Sequence, residues 1–201
     1  MSRYCSKCGK AKKACICRWI QSLASNVELV ILQHPSEQNK PLGTARILQL
    51  SLENSQIIIG ENFSDNEQLN QLLKESDTSH YLLFPNECST AFSKIALANP
   101  AKKLRVILID GTWRKAYKIW QLSTNLHCLP SIRLPDDIKG KYTIRKAPTE
   151  NSVSTVEAGY HLLSMLDSEH DFKPLLTAFE NMIQFQIKQM PEGVFDNNYR
   201  S

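Results

Sequence analysis

The run Leu104-Arg105-Val106-Ile107-Leu108-Ile109 leads directly into Asp110-Gly111-Thr112-Trp113, and a basic amphipathic stretch begins there. Six residues are too few for a helix, and so apolar a run reads as a strand buried on both faces, the kind found inside a parallel sheet. Asp-Gly is a turn signal. Beyond it Trp113, Ala116, Tyr117 and Trp120 recur at helical spacing, while Arg114, Lys115 and Lys118 fall on another face. The junction therefore predicts a carboxylate at the carboxyl end of a central strand, where open α/β sheets place their ligands. The competing reading is an ordinary βα turn with Asp110 as the helix N-cap.

The rest of the chain alternates in the same way. Val27–Leu32, Gln56–Ile59 and Tyr81–Phe84 read as further strands, punctuated by His34-Pro35, Gly60 and Pro85. Helices are expected around Ala45–Leu52 with Thr44 as cap, over Asn66–Glu75 with Leu69, Leu72 and Leu73 inward, and over Thr155–Asp167 and Pro174–Gln189. Strands alternating with helices predict an α/β domain on a largely parallel sheet. The proline- and charge-rich segment Pro130–Pro148 reads as a long loop, and such loops are functional more often than incidental. Ser154 or Thr155 can cap the helix that follows, with Glu157 in its first turn. A lone His34 at a strand end is most simply a turn residue.

Length and charge divide the chain unevenly. Its 201 residues suffice for one well-cored domain plus a small appendage. Residues 1–18 carry six basic side chains and no acid, so with a net charge of +4 the remainder is net negative. Such an excess in a short segment suggests a polyanionic partner, nucleic acid above all. Within it lie Cys5-Ser-Lys-Cys8 and Cys15-Ile-Cys17, four of the six cysteines. Thiolates so spaced can close around a structural zinc ion, with an iron–sulfur cluster or a redox pair as the alternatives. Gly9 follows the first pair, where a knuckle turn needs a permissive backbone. Cys88 and Cys128 stand alone and read as small buried side chains. The expected division is a four-cysteine, zinc-binding head over residues 1–22 and a catalytic domain over 23–201. No apolar run reaches the roughly 18 residues of a membrane helix, and Met1–Cys5 opens no apolar signal core, so a soluble cytoplasmic protein is expected.

These pieces, in this order, resemble one family. The cysteine knuckle, His34-Pro35 with Glu37, Thr44-Ala45-Arg46, Leu83-Phe84-Pro85, Asp110-Gly-Thr112-Trp113, Arg145-Lys146-Ala-Pro and Ser154-Thr155-x-Glu157-Ala158 are similar to the pattern of the DTW-domain proteins, the tRNA-uridine aminocarboxypropyltransferases. The stretches Pro41-Leu42-Gly43-Thr44 and Phe84-Pro85-Asn86 follow it loosely. The resemblance implies a SPOUT-like α/β domain with a C-terminal trefoil knot that binds S-adenosylmethionine. It implies transfer of the 3-amino-3-carboxypropyl group to N3 of a tRNA uridine, with methylthioadenosine released.

On that expectation Asp110 is the base that takes the N3 proton. Gly111 lets the backbone approach the cofactor. Thr112, Ser154 and Thr155 hold its amino acid end. Trp113 either walls off the methyl group or packs in the core. Phe84, Pro85, Leu129 and Pro130 flank the adenine slot. Arg46, Arg114, Lys115, Lys118, Arg133, Arg145 and Lys146 contact tRNA phosphates. Cys5, Cys8, Cys15 and Cys17 hold zinc. Two other classes stay open, an RNA methyltransferase using the same cofactor and a zinc-containing RNA-binding module without catalysis.

Overall fold

The structure, a computed structural model, describes residues 2–91, 102–138 and 153–191. After two 3-10 turns at Lys12–Ala14 and Cys17–Trp19 come β1 (Val27–Gln33), α1 (Ala45–Ser51), β2 (Ser55–Ile59), α2 (Glu67–Leu73) and β3 (Thr78–Leu83). There follow β4 (Thr90–Ala91), β5 (Lys103–Asp110), α3 (Trp113–Leu122), β6 (Ser131–Arg133), α4 (Thr155–Leu166) and α5 (Lys173–Lys188). The six strands form one sheet in the order β2-β1-β5-β3-β6-β4, and every pairing is parallel.

Alternation along β1 and β5 builds two cores from one sheet. Val27, Leu29, Ile31, Val106 and Leu108 face a layer of α1, α4 and α5. Val30, Leu32 and Ile107 face the opposite layer, with Leu69 of α2 and Ala116 and Ile119 of α3. A strand buried on both sides needs apolar residues at every position, which is why these two show no polar alternation. Arg105 is the exception, 3% exposed in the central strand. It is accommodated by Glu28 at 2.7 Å, Glu75 at 2.8 Å and the Leu72 carbonyl at 2.7 Å. Gly159 of α4 lies against Leu48 of α1 so closely that an added Cβ would sit 2.7 Å from a Leu48 methyl.

Several expectations need correction. Ser131–Arg133 is a strand rather than loop, because three residues suffice once β3 and β4 offer edges to pair with. Thr44 makes no side-chain cap on α1; its hydroxyl instead accepts from the Val156 amide of α4 at 3.4 Å. Asp110 closes β5, and Thr112 rather than Asp110 stands at the N-cap position of α3, so Asp110 is not the helix cap. Trp113 and Tyr117 are half exposed, and the buried residues of α3 are Ala116 and Ile119. A core Trp113 is thereby ruled out. Cys88 and Cys128 are exposed, not buried, both lying in turns outside the sheet. Arg145 and Lys146, and the segment on which the expected knot turns, lie outside the described residues.

Candidate active site

The carboxyl ends of β1 and β5 lie side by side, with Gln33 directly opposite Asp110. The Gln33 side-chain amide donates to Asp110 Oδ2 at 2.8 Å, and the Thr155 hydroxyl donates to Oδ1. Asp110 is 7% exposed and Gln33 5%. One strand end, its neighbour and the first residue of α4 thus converge on one carboxylate. Gly111 follows, where a Cβ would come within 3.1 Å of Lys115 Cβ, so the turn into α3 is tight.

The start of α4 is closed on itself. Ser154 Oγ accepts from the Glu157 amide at 3.4 Å and donates to its carboxylate at 2.7 Å, and Glu157 accepts from the Ser154 amide at 2.8 Å. This is a complete capping box. Ser154 therefore serves the helix start, and the hydroxyl delivered to the strand end is that of Thr155.

The remaining predicted contacts divide. Phe84 is buried and stacks on Trp120, ring centroids 5.6 Å apart, while Pro85 is exposed just past β3. Because β3 lies beside β5, this turn shares the carboxyl edge with Asp110. Leu129 and Pro130 do not. Leu82 pairs with Ser131, which sets Pro130 level with Tyr81 in mid-strand. The basic residues also separate. Arg114 and Arg133 are exposed, whereas Lys115 is paired to Glu37 at 2.6 Å and Lys118 to Glu61 at 2.9 Å. Glu61 also meets His34 Nε2 at 2.9 Å, and the hydrogen bonds from Lys118 and then from His34 hold its carboxyl below the usual range. His34 is committed to this brace and to Ser36 at 2.9 Å.

The four head cysteines converge, their sulfurs all within 4.8 Å of one another. Cys5 and Cys17 are 3.8 Å apart and Cys8 and Cys15 are 3.7 Å apart. A tetrahedral ion with metal–sulfur bonds of about 2.3 Å requires sulfur–sulfur edges of about 3.8 Å, so the set fits one such ion. Gly9, with φ of +71°, makes the knuckle turn. The amide of Cys8, then that of Lys7, brings the Cys5 thiol down to about 6, while burial and then the neighbouring thiols push Cys17 up to about 12. Four thiolates this close do not ionise together without a cation between them.

The head is packed onto the domain rather than tethered to it. Cys8 and Ile16 are buried in the same core as Phe179 and Met182 of α5. Trp19 meets Phe185 at 6.3 Å, with the Arg18 guanidinium 4.3 Å over the Trp19 ring. Lys10 donates to the Pro41 carbonyl at 2.6 Å and the Gly43 carbonyl at 3.2 Å, fastening the head to the loop after β1. Between that loop and the head lies a cleft of about 520 Å³ whose lining includes Gln33, Lys10, Lys40 and Arg46. Sequence reasoning missed this cleft and the part played by Gln33. The available signal was an amide side chain closing the apolar run 29–32.

Such a domain, a parallel sheet with a polar site at its strand ends and a four-cysteine centre fused to one face, has relatives. The DTW domain model matches residues 2–187, and the chain belongs to that family. It is 29% identical over 191 residues to tRNA-uridine aminocarboxypropyltransferase 2 of Macaca fascicularis, covering 92% of this chain and 63% of that protein. The Drosophila melanogaster protein of the same name is 32% identical over 191 residues, covering 90% and 75%. tRNA-uridine aminocarboxypropyltransferase A of Arabidopsis thaliana is 24% identical over 218 residues, covering 92% and 81%. The chain spans less than two thirds of the macaque relative's length. No solved structure matches it.

Proposed function

We propose that this chain is a tRNA-modifying transferase that moves the 3-amino-3-carboxypropyl group of S-adenosylmethionine to N3 of a tRNA uridine and releases methylthioadenosine. The observation that carries the reading is the carboxylate of Asp110, held by Gln33 and Thr155 at the end of the central strand. Relatives at 29% and 32% identity bear the name of that activity.

The sulfonium of S-adenosylmethionine makes methylthioadenosine a neutral leaving group, so the demand on the protein lies at the nucleophile. Uracil N3 attacks once its proton is taken. The new N–C bond forms at the carbon beside sulfur, and the C–S bond breaks with its electron pair going to sulfur. Asp110 accepts the N3 proton. A carboxylate offers about four acceptor sites, so the bonds from Gln33 and Thr155 do not by themselves exhaust it. Those two bonds hold its oxygens in place, which is the precondition for proton transfer at hydrogen-bond distance. We assign the amino acid end of the cofactor to Gly111, Thr112 and Thr155. The half-exposed Trp113 is suited to walling off the methyl group, and Phe84–Pro85 to the adenine side. Selectivity for the aminocarboxypropyl carbon over the methyl is then a matter of which carbon faces N3. A SPOUT-like fold with a C-terminal trefoil knot is assigned on the resemblance alone. Zinc is the ion assigned to the head, tRNA the partner and the cytoplasm the compartment.

The test uses unmodified tRNA and S-adenosylmethionine labelled either on the methionine carboxyl or on the methyl. Label should reach tRNA from the carboxyl only. Transfer from the methyl alone would establish a methyltransferase. Transfer of neither, with no heat of S-adenosylmethionine binding, would leave a non-catalytic RNA-binding module.

A further inference from the structure

We propose that the cleft between the cysteine head and the loop after β1 is the seat of a nucleotide flanking the target uridine, and that the head is one of its walls. The proposal deepens the transferase reading and rests on it for the identity of the RNA. The cleft, about 520 Å³, falls within the range of sites that enclose a small ligand. Its head side supplies Tyr4, Gly9 and Lys10, its loop side Lys40, and its floor Gln33 and Arg46.

Two properties say what it holds. The first is charge. Lys10, Lys40 and Arg46 line it, and none of them forms an ion pair among the described residues. Lys10 spends its ammonium on two neutral carbonyls, and Arg46 meets the Gln49 side-chain oxygen at 2.5 Å. The carboxylate in the lining, Glu37, is already taken by Lys115 at 2.6 Å. Lys10 stands beside Cys8 of the sulfur set, which leaves Lys40 and Arg46 as two cations with no carboxylate partner among the described residues; they favour an anion, and in a nucleotide that anion is phosphate. The second property is direction. Gln33 is shared between the cleft lining and the Asp110 carboxylate, so a nucleotide seated here lies one amide away from the proposed proton acceptor and sets its neighbour within reach of it. Tyr4, 63% exposed at the cleft, offers a ring face on which an unstacked base or its neighbour can stack.

The assignment explains why the head and the loop are fastened together at Lys10: the same contact that closes the cleft fixes the spacing of its two charged walls. The residues assigned to the cofactor, Gly111, Thr112 and Thr155, do not line this cleft, so RNA can be held here without displacing it.

The experiment measures binding of a fluorescently labelled, unmodified tRNA transcript by anisotropy, and of S-adenosylmethionine by calorimetry, for the full chain and for Lys40→Ala, Arg46→Gln, Tyr4→Ala and Tyr4→Phe. Lys40 and Tyr4 are exposed, so their removal leaves the fold intact. Each lost phosphate contact should raise Kd several-fold and reduce the slope of log Kd against log salt by about one. Tyr4→Ala should weaken binding about tenfold and Tyr4→Phe should restore it, a pattern that diffuse electrostatic attraction does not produce. S-adenosylmethionine affinity should stay unchanged throughout. Loss of S-adenosylmethionine affinity with tRNA binding intact would make the cleft the cofactor's and overturn the proposal. Unchanged tRNA binding in Lys40→Ala, Arg46→Gln and Tyr4→Ala would overturn it too. If the wild-type chain transferred no aminocarboxypropyl group but these variants still lost tRNA, the transferase reading would fail and the cleft would stand.

Discussion

Replacement of Asp110 by Asn and by Ala separates the chemical role of this side chain from its structural one. Asp110 accepts from the buried Gln33 amide and from the part-buried Thr155 hydroxyl. Asp110→Ala removes both partners; the buried Gln33 amide left without one costs about 1–3 kcal/mol, while the Thr155 hydroxyl can turn towards water and adds less. Asp110→Asn keeps the shape. Its amide oxygen can stay opposite Thr155, and its NH2 meets the Gln33 carbonyl once that side chain turns over. Both of these bonds are then remade, and the loss of stability should be smaller than in Asp110→Ala. Both variants lack a proton acceptor, and removal of a general base lowers the rate by about 10²–10⁴. Urea unfolding should therefore rank wild type and Asp110→Asn together above Asp110→Ala, while single-turnover transfer to tRNA should be lost in both. Calorimetry should find S-adenosylmethionine bound by Asp110→Asn as tightly as by wild type. An Asn variant within tenfold of the wild-type rate would refute the base assignment. Parallel loss of cofactor affinity would make Asp110 a ligand.

Other consequences follow from single contacts. Gly159→Ala places a methyl 2.7 Å and 2.9 Å from the two Leu48 methyls, an overpacking worth about 1–3 kcal/mol that a shift in denaturant midpoint should register and Leu48→Ala should partly relieve. Metal analysis should find one zinc per chain, and Cys8→Ser should lower that content together with thermal stability, since Cys8 is buried in the main core. Asp167 is raised by burial, but the Asn26 amide at 2.6 Å and His170 at 2.9 Å outweigh that and set it below its ordinary 3.8. Its contribution is complete above the ordinary value and is lost as pH falls through the depressed one; Asp167→Asn should flatten that part of the acid unfolding curve. Lys115→Ala should lower stability, because its pair with Glu37 is largely shielded, whereas Lys118→Ala should leave stability nearly unchanged and reduce the salt dependence of tRNA binding.

The long elements were legible because they depend on local pattern. Leu104–Ile109 is apolar at nearly every position, which a sheet covered on both faces requires, and β5 spans Lys103–Asp110. The Ser154–Glu157 spacing announced the start of α4 before any contact was known. The cysteine spacing announced a site that four converging sulfurs can form. What stayed hidden depends on partners distant in sequence. A three-residue strand such as Ser131–Arg133 has no period of its own and exists because β3 and β4 flank it. Thr44 looks like a cap from its neighbours, yet its hydroxyl serves an amide 112 residues away. Trp113 and Tyr117 share a helical face with Ala116 and Trp120, but α3 buries the stripe through Ala116 and Ile119, so spacing alone misplaced its centre by part of a turn. Gln33 was invisible as a site residue because only the parallel register with β5 sets it opposite Asp110.

That register also shows why a cysteine head belongs with this site. The head joins the main core through Cys8 and Ile16, and Lys10 pins the loop at Pro41 and Gly43. The pinned loop runs directly into Thr44, whose hydroxyl receives the Val156 amide, and the residue before Val156 is Thr155, which holds Asp110. The path from the thiolates to the strand-end carboxylate is thus a run of packed or hydrogen-bonded neighbours with one wall of the cleft along it. Asp110 itself is anchored independently of the head, through β5 and Gln33. A head that lost its ion would release the loop and open the cleft first, and would disturb the carboxylate only through α4. On the proposed assignment, RNA affinity should be more sensitive to the state of the head than cofactor affinity is, because the head supplies one wall of the cleft and none of the residues assigned to the cofactor.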